Sequence, residues 1–368
     1  MRKHHSKNER IKRLYFIWLQ ESRGLSPHSI DQKAAAIVLF EASTSYKDFA
    51  TFRIEQARSF KKRQSETIKD ATGKPLAKAT LKSRFDALKA FFKWLADQPG
   101  YRSRIKHADA DYFNISANDA AIANAKREKR APELEQVHFV IEGMKAETPL
   151  EKRARAIIAF TLLTAARDDA IASMSLSHVD LKARHVFQDA RNVRTKFRKT
   201  FTTTFFPVGG QVEGIVVDWI HYLQTEWHFG PDDPLFPSTQ MGLDANGKLK
   251  PIGFTREHWK DAAPIRKVFK AAFTGAGLPY YNPHSIRATI TQLGQNVCQT
   301  PEDFKSWSQN MGHEEVLVTF TSYGQVSAKR QAEIILGLGA EKKGHNKTIS
   351  LSDLEAFVAN AKAQGKAA

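Results

Sequence analysis

Six polar side chains in the second half of the chain are of types that could together act on a phosphate ester. Arginine forks neutralise the negative charge that builds on the oxygens of a phosphate under attack, and they do so without a metal. Histidine can donate or accept a proton near neutral pH, and a tyrosine can supply an attacking oxygen. In chain order the six candidates are Arg167, Lys196, His284, Arg287, His313 and Tyr323.

Taken singly, each candidate also has a more ordinary interpretation. Arg167 follows the apolar stretch TLLTAA, where an arginine is usually a surface cation at the end of a helix. The pair His284–Arg287 has the spacing of one helix face, but a bare HxxR pattern is common. His313 could cap a helix, and Tyr323 could be a half-buried core side chain. Lys196 could be one of several surface charges on a hairpin.

The order and context of the six residues are more specific than any one of them. An arginine, a lysine on a β-hairpin, His-x-x-Arg, Gly-His and a tyrosine follow one another, and in this the chain resembles the tyrosine recombinase (phage integrase) family. The resemblance covers residues 132–335, whereas residues 11–112 resemble the family's helical core-binding domain only by pattern and position. The matching segments are TAARDDAIASMSLSHVDL, RTKFRKTFTTTFFPV, NPHSIRATITQLG and MGHEEVLVTFTSYG.

The resemblance implies a DNA strand transferase with chemistry like that of type IB topoisomerases. Tyr323 would attack a DNA phosphate and form a covalent 3′-phosphotyrosyl bond, and a second 5′-hydroxyl would then attack that bond and rejoin the strands. Arg167 and Arg287 would hold the phosphate oxygens. Because the bond energy is kept in the phosphotyrosine, the resemblance implies neither a cofactor nor a metal, and the sequence contains no GxxxxGK[ST] phosphate loop.

The remaining candidates would transfer protons. His284 and His313 would hydrogen-bond the phosphate, and one of them would take the proton of the nucleophile; the sequence leaves open which. An unperturbed tyrosine has a pKa of about 10, so Tyr323 needs positive surroundings to react as a phenolate. Lys196 is the family-matched acid for the departing 5′-oxygen, and Lys199 is the fallback.

Three features depart from the family pattern. Many members carry an acidic residue three positions after the first arginine, where this chain has Ala170. The residue after the second arginine is often a histidine, and here it is Ala288. The gap from His313 to Tyr323 is one residue longer than in the commonest pattern. None of these differences removes a catalytic candidate, so we expect an active enzyme.

The elements that must position these residues can be outlined from the spacing of apolar residues. In the first third of the chain, helices are predicted over 11–22 and 29–43, separated by a turn at 24–27. A further helix is predicted over 79–96, with Thr80 as its N-cap. Its basic residues lie mostly off the apolar stripe, which suits contact with a phosphate backbone; the alternative is an ordinary solvated face. These basic residues are Lys82, Arg84, Lys89 and Lys93.

The rest of the chain shows a mixed pattern. The strand-prone stretch 185–208 is predicted to hold a β-hairpin, and residues 231–237 and 241–251 are predicted to be loops. The fold class is therefore mainly α with a small β-sheet or hairpin. This agrees with the two-domain architecture that the resemblance implies, an N-terminal helical core-binding domain and a mixed α/β catalytic domain. Helices are predicted around residues 134–144, 150–165, 212–226, 263–275, 284–297 and 301–311.

The predicted domain boundaries follow changes in composition. Residues 1–113 would form the DNA-binding domain and residues 132–340 the catalytic domain. Between them, residues 114–131 lose large apolar side chains and end in the basic run KREKR, which predicts a linker that follows DNA. Residues 341–368 would form a tail with an amphipathic helix from Ser350. We expect this helix to dock on a neighbouring subunit; a helix folded back on its own domain is the alternative.

The composition indicates a polyanionic partner. The chain has 56 Lys and Arg against 39 Asp and Glu, a formal net charge of +17 and a pI near 9.8. Residues 1–130 hold 28 of these cations but only 14 of the anions. The single cysteine, Cys298, excludes an internal disulfide and a multi-cysteine zinc site. The longest apolar run, over 156–166, is about half of a membrane span, so we expect neither a membrane-spanning nor a secreted protein. With the DNA partner that the resemblance implies, we expect a cytoplasmic, nucleoid-associated protein.

The partners implied by the resemblance are double-stranded DNA recombination sites, a homotetramer on synapsed DNA, and accessory DNA-bending or directionality proteins. We expect an integrase that inserts or excises a mobile element. A resolvase of chromosome or plasmid dimers would carry the same residues, and only the DNA context separates the two. The alternative from a different class is a regulator that binds DNA without cutting it, and the complete set of six candidates argues against that alternative.

Overall fold

The computed structural model of the chain separates into two compact units, Met1–Arg127 and Glu128–Ala368. Each unit has its own hydrophobic core. The domain boundaries inferred from composition stay predictions, and the predicted tail over 341–368 lies outside the described residues. The residues that the structure describes are 4–68, 73–125, 130–243 and 247–313.

The first unit is built from helices. Their bounds are α1 Ser6–Glu21, α2 Pro27–Ser43, α3 Ile54–Glu66, α4 Lys78–Ala96 and α5 Ala117–Asn124. The predicted helices correspond to α1, α2 and α4, although α4 begins before Thr80 and has Ala77 as its N-cap. The sequence prediction lacks α3 because Ala57 and Phe60 are its only buried side chains and most of the segment is polar or charged.

Aromatic side chains dominate the core of the first unit. The ring of Phe40 on α2 lies edge-to-face against Phe92 on α4 and against Phe113, at centroid distances of 5.3 and 5.5 Å. Phe52 lies 4.1 Å from Phe92. Such ring pairs add roughly 0.5–1.5 kcal/mol each beyond the buried area. The packing of these rings therefore fixes α2 against α4 and against the segments that carry Phe52 and Phe113.

The basic face of α4 is paired with acidic residues of the same unit. The ammonium of Lys82 lies 2.7 Å from the Asp86 carboxylate, and the Asp111 carboxylate lies 3.0 Å from Lys89 and 3.3 Å from Lys93. Hydrogen bonds from these two lysines hold the pKa of Asp111 below its usual range. The face therefore presents less unpaired positive charge than the sequence pattern indicates.

Part of the predicted linker is helical. Helix α5 lies within residues 114–131 and packs against α4. The Ser116 hydroxyl caps it by accepting a hydrogen bond from the backbone nitrogen of Asp119 at 3.1 Å. The Asp119 carboxylate in turn lies 2.8 Å from the Lys78 ammonium. The first half of this segment therefore belongs to the first unit.

The second unit combines helices with two small antiparallel sheets among its described residues, and this confirms the predicted fold class. The first sheet has the order β1-β2-β3, and β4 pairs with β5 in a separate hairpin. The bounds are α6 Leu134–Gly143, α7 Pro149–Thr164, α8 Asp168–Ile171, β1 Val179–Asp180, β2 His185–Gln188, β3 Phe201–Thr204, α9 Val212–Thr225, β4 Thr239–Leu243, β5 Leu249–Phe254, α10 Ala263–Gly275, α11 Ile286–Val297 and α12 Pro301–Asn310.

The predicted loop over 241–251 is wrong, because most of this segment forms the β4–β5 hairpin. Its strand pattern is weak in the sequence since Gly and Pro interrupt it. Its large apolar side chains Met241, Leu243 and Leu249 are also exposed, at 51, 68 and 71%. A strand without a buried face lacks the apolar alternation on which the prediction depends.

Helix α7 lies at the centre of the second unit. Every residue over 156–164 is buried. Nearer its start, the Arg153 guanidinium stacks on the rings of Phe254 and Trp259 and donates a 2.6 Å hydrogen bond to the Pro237 carbonyl. Burial lowers the pKa of Arg153 to about 10. None of the helices in the described ranges, α7 included, is long and apolar enough to cross a membrane.

Candidate active site

Arg167 lies where the chain leaves α7. This helix ends in a left-handed residue, Ala165 (φ 50°, ψ 22°), which turns the chain so that Arg167 becomes the N-cap of the short helix α8. The side chain of Arg167 is half-buried. Arg167 thus lies at the junction of two helices. The more ordinary interpretation of the sequence was a surface cation at the end of one helix.

The two acidic residues that follow Arg167 hold neighbouring segments in place. Asp168 accepts a 2.8 Å hydrogen bond from Arg266 of α10, and Asp169 accepts a 2.9 Å hydrogen bond from Arg194 in the β2–β3 loop. Ala170, at the position where many members of the family carry an acid, is buried. Carboxylates one and two positions after Arg167 therefore brace the surroundings of the arginine.

Arg287 joins three segments of the second unit. It lies in the first turn of α11 with only 2% of its surface exposed. Its Nη1 donates to the Ala165 carbonyl at 2.6 Å, and its Nη2 donates to the Met311 carbonyl at 2.7 Å and contacts His313 Nε2 at 2.8 Å. Because a guanidinium has only donors, His313 Nε2 must accept, and the ring proton is on Nδ1. Arg287 therefore holds His313 beside the end of α7 and selects its tautomer.

The turn that carries His313 is clamped to strand β3. The side-chain amide of Asn310, the last residue of α12, donates to the Thr204 carbonyl at 2.8 Å and accepts from the Thr204 backbone nitrogen at 2.7 Å. The Thr203 hydroxyl donates to the Asn310 carbonyl at 3.0 Å. One side chain thus occupies both backbone groups of an edge-strand residue and sets the distance from β3 to His313.

Gly312 completes this clamp because it leaves room for an aromatic ring. Its φ of +72° is in the left-handed region, and a Cβ at this position would lie 2.6 Å from the ring of Phe201 on β3. Any other residue would be strained in its backbone and would push against that ring. The glycine of the Gly-His pair is therefore a packing requirement.

The surroundings of His313 are strongly positive. Its side chain is buried, at 7% exposure. Burial is the largest cause that lowers its pKa to about 3, and the charges of Arg287, Arg167, Lys199 and His284 follow in that order. His313 is therefore neutral at physiological pH, in the middle of a set of cationic and titratable groups. Such a set suits an anion with several oxygens, such as a phosphodiester.

His284 and Arg287 differ in environment although they are close in sequence. His284 lies in the 3₁₀ turn Pro283–Ser285 before α11 and is exposed, whereas Arg287 is buried. The Asn282 side chain caps this turn by accepting from the Ser285 backbone nitrogen at 3.1 Å. The prediction that both residues lie on one face of a helix is therefore corrected, because the helix begins after His284.

The two candidate lysines lie in the long loop that joins β2 to β3. Lys196 is exposed in the 3₁₀ turn Lys196–Arg198, with its ammonium 4.9 Å from the centroid of the Phe197 ring. Lys199 is half-buried next to the start of β3, and its charge acts on His313. The structure thus brings Lys199, the fallback of the sequence analysis, into the electrostatic field of the site.

The site that the structure describes consists of Arg167, Lys199, His284, Arg287 and His313. Lys196 lies on the same hairpin loop, and Tyr323 lies outside the described residues. Sequence reasoning did not identify the residues that orient His313. Asn310 and the left-handed Ala165 carry no local signal, since their partners are distant in the chain; the Asn310–Thr204 hydrogen bonds join residues 106 positions apart.

No protein-family model and no curated protein matches the sequence. Solved structures match the fold. A lambda integrase dimer bound to a core site has a TM-score of 0.58 at 11% identity, over 94% of this chain and 99% of that one. A XerH site-specific recombinase bound to palindromic difH substrate has a TM-score of 0.57 at 16% identity, over 86% and 82%. A Tn1549 transposon integrase in complex with transposon right end DNA has a TM-score of 0.55 at 16% identity, over 89% and 99%.

Proposed function

We propose that this chain, which has the fold of the tyrosine recombinases, is a site-specific recombinase that cuts and rejoins DNA strands through a covalent 3′-phosphotyrosyl intermediate. The strongest support is the positive cluster around neutral His313, formed by Arg167, Arg287 and Lys199 with the titratable His284 beside it. A phosphodiester placed there would relieve the mutual repulsion of these groups, and their N–H donors match its oxygens.

The reaction needs a nucleophile and a path for its proton. Tyr323 would attack the phosphorus, and Arg167 and Arg287 would neutralise the charge on the non-bridging oxygens. His313 Nε2 already accepts from Arg287, so His313 presents its Nδ1–H and acts as a donor to the phosphate. We assign the acceptance of the tyrosine proton to His284, which is exposed and is the other histidine of the set.

The departing 5′-oxygen needs an acid, and the β2–β3 loop offers two. Resemblance to the family favours Lys196. The half-buried position of Lys199 and its action on His313 favour Lys199. We propose Lys199 as the acid and keep Lys196 as the alternative. Attack of a second 5′-hydroxyl on the phosphotyrosine would return one proton to the lysine, and His284 would return the other to the departing oxygen of Tyr323, so the exchange consumes no cofactor.

The biological role that we propose is integration or excision of a mobile element, by a homotetramer on two synapsed DNA sites, with accessory DNA-bending or directionality proteins. A dimer resolvase of the same fold is the second candidate within this chemistry. In both roles the protein would be associated with the nucleoid. The predicted KREKR linker and the helix from Ser350, with docking on a neighbouring subunit, stay proposals, since residues 126–129 and 314–368 lie outside the described residues.

The test is the formation of covalent adducts. Wild type and Tyr323→Phe are incubated in chelator with labelled DNA fragments from the regions beside the gene, and detergent-resistant protein–DNA adducts are measured. We expect adducts from the wild type, with the cleavage site mapped by their position, and none from Tyr323→Phe. The control is Tyr280→Phe, which removes the same hydroxyl from an exposed tyrosine of the second unit. Specific binding without any wild-type adduct would favour the non-cutting regulator.

The same assay identifies the acid. A 5′-bridging sulfur leaves without a proton, so a DNA substrate that carries it restores cleavage to a variant that lacks only the acid. We expect Lys199→Ala to lose about 10²- to 10⁴-fold in cleavage rate on ordinary DNA and to recover on the sulfur substrate. Recovery of Lys196→Ala instead would assign the acid to Lys196.

A further inference from the structure

An exposed aromatic ring stands at the tip of the loop that carries the two lysines. Phe197 has 79% of its surface exposed, more than any other large apolar side chain among the described residues. A ring in this position contributes almost no buried area, so the packing of the fold does not account for it. An aromatic residue in a water-exposed loop of a DNA-binding protein has a second use, which is contact with bases.

The backbone at the tip is unfavourable for the residues that occupy it. Phe197 (φ 60°, ψ 22°) and Arg198 (φ 52°) are consecutive left-handed residues, and neither is glycine. Glycine would adopt this conformation without strain, so a loop that only had to turn would favour glycine here. Strained positions of this kind cluster where side chains contact ligands.

The part of the same loop below the tip is held by hydrogen bonds to neighbouring segments, which gives the tip a defined position. Arg194 donates to Asp169 at 2.9 Å and to the Trp259 carbonyl at 2.9 Å. The Ala190 backbone nitrogen donates to the Thr200 hydroxyl at 3.1 Å. Because these hydrogen bonds hold the loop below its strained tip, the Phe197 ring is presented in one place.

Positive charge flanks Phe197 along the loop. The Lys196 ammonium lies 4.9 Å from its centroid, Arg198 follows it directly, and Lys199 acts on His313. Cations before and after an apolar ring in the loop match a DNA strand, which presents phosphates on either side of each base. If Phe197 bound an apolar protein surface instead, these neighbouring cations would not be required.

We propose that Phe197 contacts a DNA base beside the phosphate held in the site, by stacking on the base or by wedging between two stacked base pairs. This proposal rests on the proposed function, because it requires DNA in the site. Contact between aromatic rings and bases contributes enough free energy that loss of the ring weakens binding by roughly 5- to 150-fold.

Two duplexes of one sequence, about 30 base pairs long, test the proposal: one is fully paired and the other has a single unpaired base near its centre. A base that is already unpaired costs little to unstack, so a protein that inserts a ring binds it more tightly. We expect wild-type protein to prefer the bulged duplex, Phe197→Ala to lose this preference by at least 5-fold, and Phe197→Trp to keep it. The slope of log Kd against log salt should stay constant, since the cations remain.

The control variants are Phe139→Ala and Phe187→Ala, which remove rings that are 60 and 40% exposed on α6 and on β2. Both should keep the preference. Equal preference in wild type and Phe197→Ala, or no preference in the wild type, would overturn the proposal. A change in the sedimentation of DNA-free protein on Phe197→Ala would instead assign the ring to contact between copies of the chain. Adduct formation is measured separately, so loss of cutting and loss of base contact are distinguishable.

Discussion

His313 is buried among cations, and this makes the folded state sensitive to acid. Burial and the charges of Arg287 and Arg167 lower its pKa to about 3, from an unperturbed value of 6.5. Below pH 6.5 the unfolded chain takes up a proton that the folded chain refuses until pH is near 3. As the pH is lowered through this window, the free energy of unfolding therefore decreases by about 1.4 kcal/mol for each pH unit when His313 alone is considered.

The substitution His313→Gln should reduce this acid sensitivity. The glutamine carbonyl can still accept from Arg287 but does not titrate, so the free energy of unfolding should change less between pH 6.5 and pH 4 than in the wild type. Urea denaturation at several pH values measures this slope. His221→Gln, at an exposed position on α9, is the control and should keep the wild-type slope. Equal slopes in wild type and His313→Gln would contradict the prediction.

The turn after α12 is the element that brings His313 close to strand β3, and Gly312 in this turn has a specific steric role. We expect Gly312→Ala to lose about 1–2 kcal/mol from the left-handed backbone alone, and more from contact with the Phe201 ring. Because the displaced turn carries His313, adduct formation should fall by more than the loss of stability explains.

Gly100→Ala is a matched control for this prediction. Gly100 has a φ of +85°, and a Cβ there would meet no atom within 4 Å. It therefore carries the backbone strain of the substitution without the steric contact, and it lies in the first unit. Thermal denaturation and adduct yield are compared for the two variants. Similar adduct yields at Gly312→Ala and wild type would show that the turn does not position His313 for the reaction.

The elements with a regular apolar stripe could be predicted from the sequence, and those without one could not. Helix α10 matches its prediction over 263–275, because Ile265, Phe269 and Phe273 recur along its buried face. Helix α3 was missed and the β4–β5 hairpin was misassigned, because α3 buries two residues and the hairpin exposes most of its apolar side chains. Pattern methods detect burial, and these elements have little of it.

The candidate site was predictable where function limits residue type and spacing. His284, Arg287 and His313 come from short motifs, and the structure brings them together with Arg167. The choice between Lys196 and Lys199 was not predictable, because it depends on how a loop of irregular backbone folds back on the sheet. The role of Asn310 depends on a partner in β3, and such long-range pairs leave no mark in one sequence.

At the scale of the whole molecule, some of the positive charge of the first unit is paired with acidic residues of the same unit. Only the remaining charge is available to a partner. On α4, Lys89 and Lys93 share the Asp111 carboxylate. Exposed cations such as Lys62, Arg102 and Arg104 make no ion pair with another described residue and are available for phosphates. DNA binding at α4 would require the lysines to exchange Asp111 for phosphate oxygens.

Asp111→Asn should therefore strengthen DNA binding. It removes a competitor for Lys89 and Lys93, so the affinity for a nonspecific duplex should rise severalfold, and the slope of log Kd against log salt should steepen by about one phosphate contact or more. The control is Glu213→Gln, which removes the same charge from a pair with Arg184 in the second unit. Equal changes in the two variants would show that only net charge matters and that α4 does not face the DNA.

The Asn310 clamp also has a consequence for behaviour at high concentration. Strand β3 is at the edge of its sheet, and unpaired backbone groups on an edge strand recruit strands from other molecules. The Asn310 amide occupies both backbone groups of Thr204 and so shields this edge from intermolecular pairing. The side chain that places the turn of His313 therefore also limits strand pairing between molecules, and we expect substitutions of Asn310 to change solubility and adduct formation together.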